Sequence, residues 1–290
     1  MGNVRPEWLK IRASNSEEVS KIQNLLSDFS LNTICESARC PNRPVCYKNN
    51  LASFLILGNI CTRNCKYCNL DSGTPLEVDT SEPQRIARGV DRLDLDHVVI
   101  TSVTRDDLED GGASQFIKTV KSIRNIPSDV NIEVLIPDFA GDQEALEKLI
   151  QVQPEIIGHN IETVKSLYNK VRPEANYERS LELLNKVAES EKEICVKSGL
   201  MVGLGESPKE VMQSIKDLKE TGCDILTIGQ YLKPPNQSME VEKYVKPEIF
   251  DEYKNIAFNL GFKCVSSGPL VRSSFKAKKM YNEFKKNMRM

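Results

Sequence analysis

The pattern of apolar and polar positions changes character near residue 51. Before it, apolar residues recur at helical spacing over Ser16–Phe29, and a polar loop rich in Pro and Asn follows. After it, a short apolar run, a loop and an amphipathic stretch repeat in that order. The short runs predict strands at Ala52–Leu57, Val98–Thr101, Ile132–Ile136, Ile156–Asn160, Cys195–Met201 and Ile225–Ile228. The 3.6-residue period that follows most of them predicts helices at Pro83–Arg92, Ala113–Asn125, Asp142–Val152, Tyr177–Ser190, Pro208–Thr221 and Pro247–Leu260. Such alternation implies a parallel sheet with helices outside it. Right-handed crossovers then curl the strands into an α/β fold, a partial (β/α)6 barrel of the TIM type. The chain divides into an N-terminal extension (1–50), the barrel (51–265) and a C-terminal extension (266–290). The basic, partly helical tail from Arg272 to Met290 reads as a solvated face.

Composition narrows the function. At 290 residues and 40% hydrophobic, the chain can bury a full core. Thirty-nine basic against 41 acidic residues leave a formal charge of −2, so no global field favours nucleic acid or an anionic membrane. The opening MGNVRPEWLKIRASNSEE lacks the apolar centre of a signal peptide, and Pro6 argues against myristoylation. No apolar run approaches the ~20 residues of a membrane span. These features predict a soluble, cytoplasmic protein, and in such a compartment its nine cysteines are not expected to form disulfides.

Six of those cysteines fall in two triplets. Cys61, Cys65 and Cys68 form CxxxCxxC directly after the first predicted strand, where a barrel keeps its active site. Cys35, Cys40 and Cys46 form CxxxxCxxxxxC in the preceding loop. Three thiols in a short polar loop can hold an iron–sulfur cluster while leaving one iron without a cysteine, the position at which cluster chemistry occurs. Zinc is the rival ligand. It wants four ligands, and the only two histidines, His97 and His159, lie far along the chain from both triplets. Cys195, Cys223 and Cys264 stand singly in apolar surroundings and read as small buried hydrophobes. Trp8 reads as packing for the N-terminal segment, and the Gly203/Gly205 pair completes no dinucleotide fingerprint.

A CxxxCxxC loop after the first strand of such a barrel resembles the radical S-adenosylmethionine (SAM) superfamily. The wider sequence is similar to the lipoyl synthase family. The resemblance rests on CESARCPN (35–42), ILGNICTRNCKYC (56–68), VVITSVTRDDLEDGGA (98–113), GHNIET (158–163) with VRP (171–173), KSGLMVGLGE (197–206), TIGQYLKP (227–234) and GPLVRSSF (268–275), in order over nearly the whole chain.

The resemblance implies a 4Fe–4S cluster on Cys61, Cys65 and Cys68, with SAM chelating the fourth iron. It implies a second, auxiliary 4Fe–4S cluster on Cys35, Cys40 and Cys46, completed by a serine of Arg272-Ser273-Ser274. That serine is Ser274 by position, with Ser273 as the fallback and Arg272 as a candidate catalytic residue. The family spends the auxiliary cluster as its sulfur source, consuming two SAM molecules per lipoyl group made on a protein-bound octanoyl chain. Tyr67 matches the aromatic beside adenine, and Asp110-Gly111-Gly112 are expected near the methionine amino group. Asn160, Glu162, Arg172, Lys197 and Ser198 are candidates for SAM or substrate contacts or for structural bonds, and His159 for a core histidine with a weaker claim on the site.

Expected partners are an octanoylated lipoyl carrier domain or glycine-cleavage H protein, a low-potential donor of ferredoxin or flavodoxin type, and an iron–sulfur cluster assembly protein. Departures from the family pattern at Arg43–Tyr47, Pro235–Glu240 and Phe275 remove no cluster ligand. The alternatives are a biotin-synthase-like or methylthiotransferase-like enzyme, disfavoured by the Arg-Ser-Ser motif. A two-cluster electron carrier is disfavoured by three-thiol sites.

Overall fold

In the computed structural model, which describes residues 5–10, 17–49, 51–235 and 239–288, the predicted alternation is present unit by unit. The chain opens with α1 (Glu17–Asp28), β1 (Asn32–Thr33), α2 (Ile34–Ser37) and α3 (Arg43–Lys48). Ser16, where the sequence pattern starts the first helix, and Asn236–Ser238 lie outside the described residues. After β2 (Ser53–Ile56) come two minimal strands, β3 (Ile60–Cys61) and β4 (Asp71–Ser72). The remaining strands are β5 (His97–Ser102), β6 (Asn131–Leu135), β7 (Ile156–Gly158), β8 (Cys195–Val202), β9 (Ile225–Gln230) and β10 (Cys264–Gly268). Between and after them lie α4 (Glu82–Arg92), α5 (Ala113–Arg124), α6 (Gln143–Gln151), α7 (Tyr168–Val171), α8 (Tyr177–Ala188), α9 (Pro208–Glu220), α10 (Pro247–Asn259) and α11 (Ala277–Met288).

The main sheet runs β1-β2-β5-β6-β7-β8-β9-β10, parallel throughout except where β1 meets β2. Every residue of β2 and β9 is buried, as strands covered on both faces require. Local chemistry starts the outer helices on cue. Asp142 and Asn176 cap α6 and α8, and Ser207 with Glu210 forms a full capping box on α9.

The main sheet has one parallel strand more than the sequence pattern predicts, because β10 (C-V-S-S-G) lacks an apolar run. β1 and β10 do not pair, so the barrel stays open along a seam. The terminal segments bridge it: the side-chain amide of Asn42, at the start of α3, donates to the Leu270 carbonyl, just beyond β10, at 2.6 Å. At the other end, Met280, Tyr281 and Phe284 of α11 pack on Ile156, Cys195, Ile225 and Cys264, the first residues of β7 to β10. The tail thereby closes the amino ends of the strands and leaves the carboxyl ends free for a site. Cys195, Cys223 and Cys264 are buried core residues, as expected. Trp8 is not: it is 41% exposed, and its neighbour Leu9 fills the core instead. Among the described residues, no helix is long and apolar enough to cross a membrane.

Candidate active site

The loop after β2 is drawn tight by the β3–β4 ladder, which pairs Ile60 with Asp71 and Cys61 with Ser72. The Gly73 N–H donates to the Cys61 carbonyl at 2.9 Å and closes the loop at its base. Inside it, the Cys61 sulfur accepts from the backbone N–H groups of Arg63 (3.4 Å) and Thr104 (3.3 Å). Burial pushes the Cys68 thiol up to about 12, and Cys65 and Cys61 add to the rise, so the three sulfurs lie within electrostatic reach of one another. Among the described residues, no three Cys, His, Asp or Glu side chains gather as for a single metal ion. A four-iron cluster takes a different iron with each thiol, which spreads the sulfurs around a cube.

The second triplet is held by a different lock. Tyr47 is fully buried, and its hydroxyl meets Thr33 Oγ1 at 2.9 Å; Thr33 in turn caps α2. This fixes Cys35 in α2 and Cys46 in α3, with Cys40 in the turn between them. Burial drives Cys35 to about 11 and Cys46 to about 12, and charge from the same triplet raises both further. The segment after β10 faces this group. Burial lowers the Arg272 guanidinium while the charge of Cys40 opposes the change, and Lys276 acts on Cys46.

Cys68 of the first triplet and all three thiols of the second line a cavity of about 630 Å³, within the ordinary range for a small-molecule site. Its lining brings Cys68 and Tyr67 together with Cys35, Cys40, Cys46, Ser273 and Ser274. Asn160, Glu162 and Arg172 form a polar side, and Val99, Leu135 and Leu200 an apolar one. Arg172, 8% exposed, donates from Nη1 to the carbonyls of Asn160 (2.9 Å) and Ile161 (3.3 Å) and to the Tyr168 hydroxyl (3.1 Å). Asn160 Nδ2 donates to Glu162 Oε1 at 3.0 Å. Glu162 sits at φ +65°, a strained conformation held by ladder bonds to Gly199 and Met201. Burial raises its carboxyl, and the charge of Arg172 opposes the rise.

Six buried polar atoms on residues lining this cavity have no hydrogen-bond partner: Asn69 Oδ1, both ring nitrogens of His97, Ser102 Oγ, Asn160 Oδ1 and Arg172 Nε. Buried polar atoms are normally satisfied. Donors and acceptors left open around one space, among them two amide oxygens, a hydroxyl and a guanidinium N–H, fit a ligand carrying amino, carboxylate and hydroxyl groups, as SAM does.

Other candidates stand back from the cavity. Asp110 accepts from the N–H groups of Gly112 (2.9 Å) and Ser114 (2.7 Å) and so caps α5. Gly111 and Gly112 take positive φ beneath Phe139 and Leu57; a Cβ on Gly112 would lie 2.4 Å from Leu57 Cδ1. Lys197 points into the lower barrel, paired with Glu133 at 2.6 Å, and the Ser198 hydroxyl donates to the His159 carbonyl at 2.8 Å.

His159 is a satisfied core histidine with one edge on the cavity. Its Nδ1 donates to the Ile136 carbonyl at 2.9 Å, leaving Nε2 to accept from the Ser180 hydroxyl at 2.9 Å. Burial, and then the charge of Arg172, pulls its pKa down from 6.5 to about 4. The unfolded chain therefore binds this proton at a higher pH than the folded one. The contribution of His159 to stability is complete above pH 6.5 and is lost as pH falls toward 4, a drop of about 3 kcal/mol. Denaturant unfolding between pH 7 and 4 should show this slope, and His159→Gln should flatten it; an unchanged slope would assign it to other groups.

Residues 55–218 match the radical SAM superfamily model. Over 273 residues, 94% of this chain and 95% of the relative, the sequence is 51% identical to the lipoyl synthase of Caldanaerobacter subterraneus subsp. tengcongensis. The chain belongs to the lipoyl synthase family. The lipoyl synthases of Chlorobium phaeovibrioides (50% identical; 94% of this chain, 96% of the relative) and Treponema denticola (46%; 95% and 94%) agree. Among solved structures, methylornithine synthase (PylB) superposes with a TM-score of 0.55 at 13% identity, covering 87% of this chain and 83% of its own. SuiB of Streptococcus suis bound to S-adenosylmethionine gives 0.57 at 13% identity, covering 75% and 51%. At that identity the likeness shows the fold alone.

As a lipoyl synthase family member the chain is a radical SAM sulfurtransferase, and its family implies SAM and iron–sulfur chemistry. Three residues that shape the site escaped the sequence reading. Asn42 was visible only as part of a motif, and its partner Leu270 is 228 positions away. Thr104 offers a backbone N–H, which no side-chain pattern encodes. Arg63 lies inside the cysteine motif, yet its partners sit on two other loops.

Proposed function

We propose that this lipoyl synthase family member inserts two sulfur atoms, at C6 and C8, into an octanoyl chain carried on a lysine of a lipoyl domain or a glycine-cleavage H protein. Cys61, Cys65 and Cys68 would hold a 4Fe–4S cluster, leaving one iron for the amino and carboxylate groups of SAM. When bound, that cluster supplies the electron that splits SAM into methionine and a 5′-deoxyadenosyl radical, which takes hydrogen from unactivated C–H bonds. A second 4Fe–4S cluster, on Cys35, Cys40, Cys46 and Ser274, is a substrate in this reading and yields two sulfides. Each reacting carbon loses one hydrogen atom to a deoxyadenosyl radical and gains one C–S bond to a sulfide, the electron released by that bond passing to the iron of the cluster consumed, so two SAM molecules are used per lipoyl group.

The chain's own residues bind, orient and shield. Asn160, Arg172 and Glu162 take the polar groups of SAM, with Tyr67 beside the adenine. Val99, Leu135 and Leu200 hold the alkyl chain and keep water away from it. Arg272 places a positive charge next to the second triplet. The Ser274 oxygen is a poorer match than thiolate for iron in a sulfide cluster, which lets that corner release. In this reading residues 1–50 and 266–290 build the auxiliary site and residues 51–265 handle SAM. The protein works in the cytoplasm, with a ferredoxin- or flavodoxin-type donor and a cluster assembly protein as further partners.

What supports the reading most is that Cys68 of the first triplet, all three thiols of the second and the Arg-Ser-Ser segment border one cavity. Anaerobic turnover of reconstituted protein with SAM, a reductant and an octanoyl-lysine peptide tests it by mass spectrometry. The product, in its cyclic disulfide form, should gain two sulfurs and lose two hydrogens, and Ser274→Ala should abolish it while SAM is still cleaved. Cleaved SAM with an unmodified octanoyl chain from the unaltered protein would refute the assigned substrate.

A further inference from the structure

Arg63 stands between the first two cysteines of the CxxxCxxC loop, and its side chain is only 5% exposed. Its guanidinium forks onto Asp106, with Nε to Oδ2 at 2.6 Å and Nη2 to Oδ1 at 2.7 Å. The same Nη2 reaches Asp138 Oδ1 at 2.6 Å. Asp138 is fully enclosed and also pairs with Arg179 at 2.7 Å. Asp106 follows β5 and Asp138 follows β6, so one arginine staples the cysteine loop to two neighbouring barrel units. Thr62 adds to the staple: its N–H donates to the Thr104 carbonyl at 3.1 Å, and its hydroxyl accepts from the Asp106 N–H at 3.1 Å.

The staple bears directly on a sulfur. The two N–H groups that point at Cys61 Sγ belong to Arg63 itself and to Thr104, the residue that Thr62 holds. We propose that Arg63 is a positioning residue whose clamp on Asp106 and Asp138 aims these two N–H groups at the Cys61 sulfur and thereby sets the reduction potential and retention of the cluster bound there. The inference rests on the reading of Cys61, Cys65 and Cys68 as cluster ligands. N–H groups directed at a ligating sulfur favour the reduced, more negative cluster, so losing them drives the potential down. A buried ion-pair group is weak evidence for stability, since well-packed apolar residues serve as well. What an apolar residue lacks is the fork that fixes loop geometry. Burial raises the Asp138 carboxyl, but the hydrogen bond and charge of Arg63 outweigh it and hold the pKa at about 2. Removing Arg63 thus leaves two carboxylates against the loop.

The test uses the full chain with its clusters reconstituted anaerobically. It reads the midpoint potential of the cluster whose electron paramagnetic resonance signal responds to added SAM, and the rate of iron loss to a chelator. Arg63→Gln should shift that potential to more negative values and speed iron loss roughly tenfold. Arg63→Lys should recover part of both, since it keeps the charge without the fork. Arg179→Gln breaks the network at its far end, away from the loop; it should lower the melting temperature and leave the potential where it was. If Arg63→Gln fails to fold, Asp106→Asn decides, with a smaller shift in the same direction expected. An unmoved potential and unchanged iron retention in the deciding variant, with a normal SAM response in the unaltered protein, overturns this inference alone. No SAM-responsive signal in the unaltered protein overturns it together with the reading on which it rests.

Discussion

Replacing Cys68 by alanine should reduce SAM cleavage to the level seen without protein. Cys68 is the thiol of its triplet that lines the cavity, and it lies within reach of both Cys61 and Cys65. An iron–sulfur cluster in a three-thiol loop has no spare ligand, so losing one thiolate opens a second iron corner. The change sits on a cavity wall rather than in the core, so the fold should persist. The expected result is loss of the iron bound by this loop, retention of iron at the Cys35–Cys46 site, and no 5′-deoxyadenosine by chromatography. Cys195→Ala serves as the comparison. That thiol is 2% exposed and packs under α11, so the variant should lose some stability and keep its iron. Continued SAM cleavage by Cys68→Ala would remove the loop from the active site.

Gly229→Ala is expected to uncouple SAM cleavage from sulfur insertion. Gly229 lies in β9 beside Met201 of β8 and Gly268 of β10. A Cβ there would stand 2.3 Å from the Val271 carbonyl oxygen and 3.2 Å from its carbon. The obstacle is backbone, which cannot swing aside like a side-chain tip, so the segment carrying Arg272, Ser273 and Ser274 must shift. Overpacking of this kind costs about 1–3 kcal/mol. The functional cost is larger, since a displacement of about 1 Å at a reacting site lowers rate by roughly 10²-fold. Lipoyl product should fall by about that factor while 5′-deoxyadenosine continues to form, because the CxxxCxxC loop lies on other strands. An equal fall in both products would mean that the two halves of the site do not move independently.

Both experiments probe features with very different visibility in the sequence. The barrel units were legible because each strand is a short apolar run and each helix repeats at 3.6 residues, and these are properties of neighbouring positions. Predicted and observed helices differ by a residue or two at their ends, where Ser207, Asp142 and Asn176 set the starts. β10 was missed because Ser266, Ser267 and Gly268 carry no apolar signal; their place comes from pairing with β9. Among the polar candidates, type and motif could not separate Asn160 and Arg172, which border the cavity, from Asp110 and Lys197. Asp110 turns to the helix amides of α5, and Lys197 to a carboxylate one strand further across the barrel than its neighbour β7.

By itself the sequence determined the strand–helix alternation, the caps and the grouping of thiols into two sets of three. Each depends on spacing over a few residues, and spacing survives folding unchanged. Only the tertiary structure decided that Cys68 of one set shares a cavity with the whole of the other, that Asn42 meets Leu270 across the open seam, and that Arg63 clamps the cysteine loop to Asp106 and Asp138. Those contacts join positions 43 to 228 residues apart. They exist because strand register and the curl of the sheet bring separate loops to the same end of the barrel, and no local pattern encodes where that curl places them.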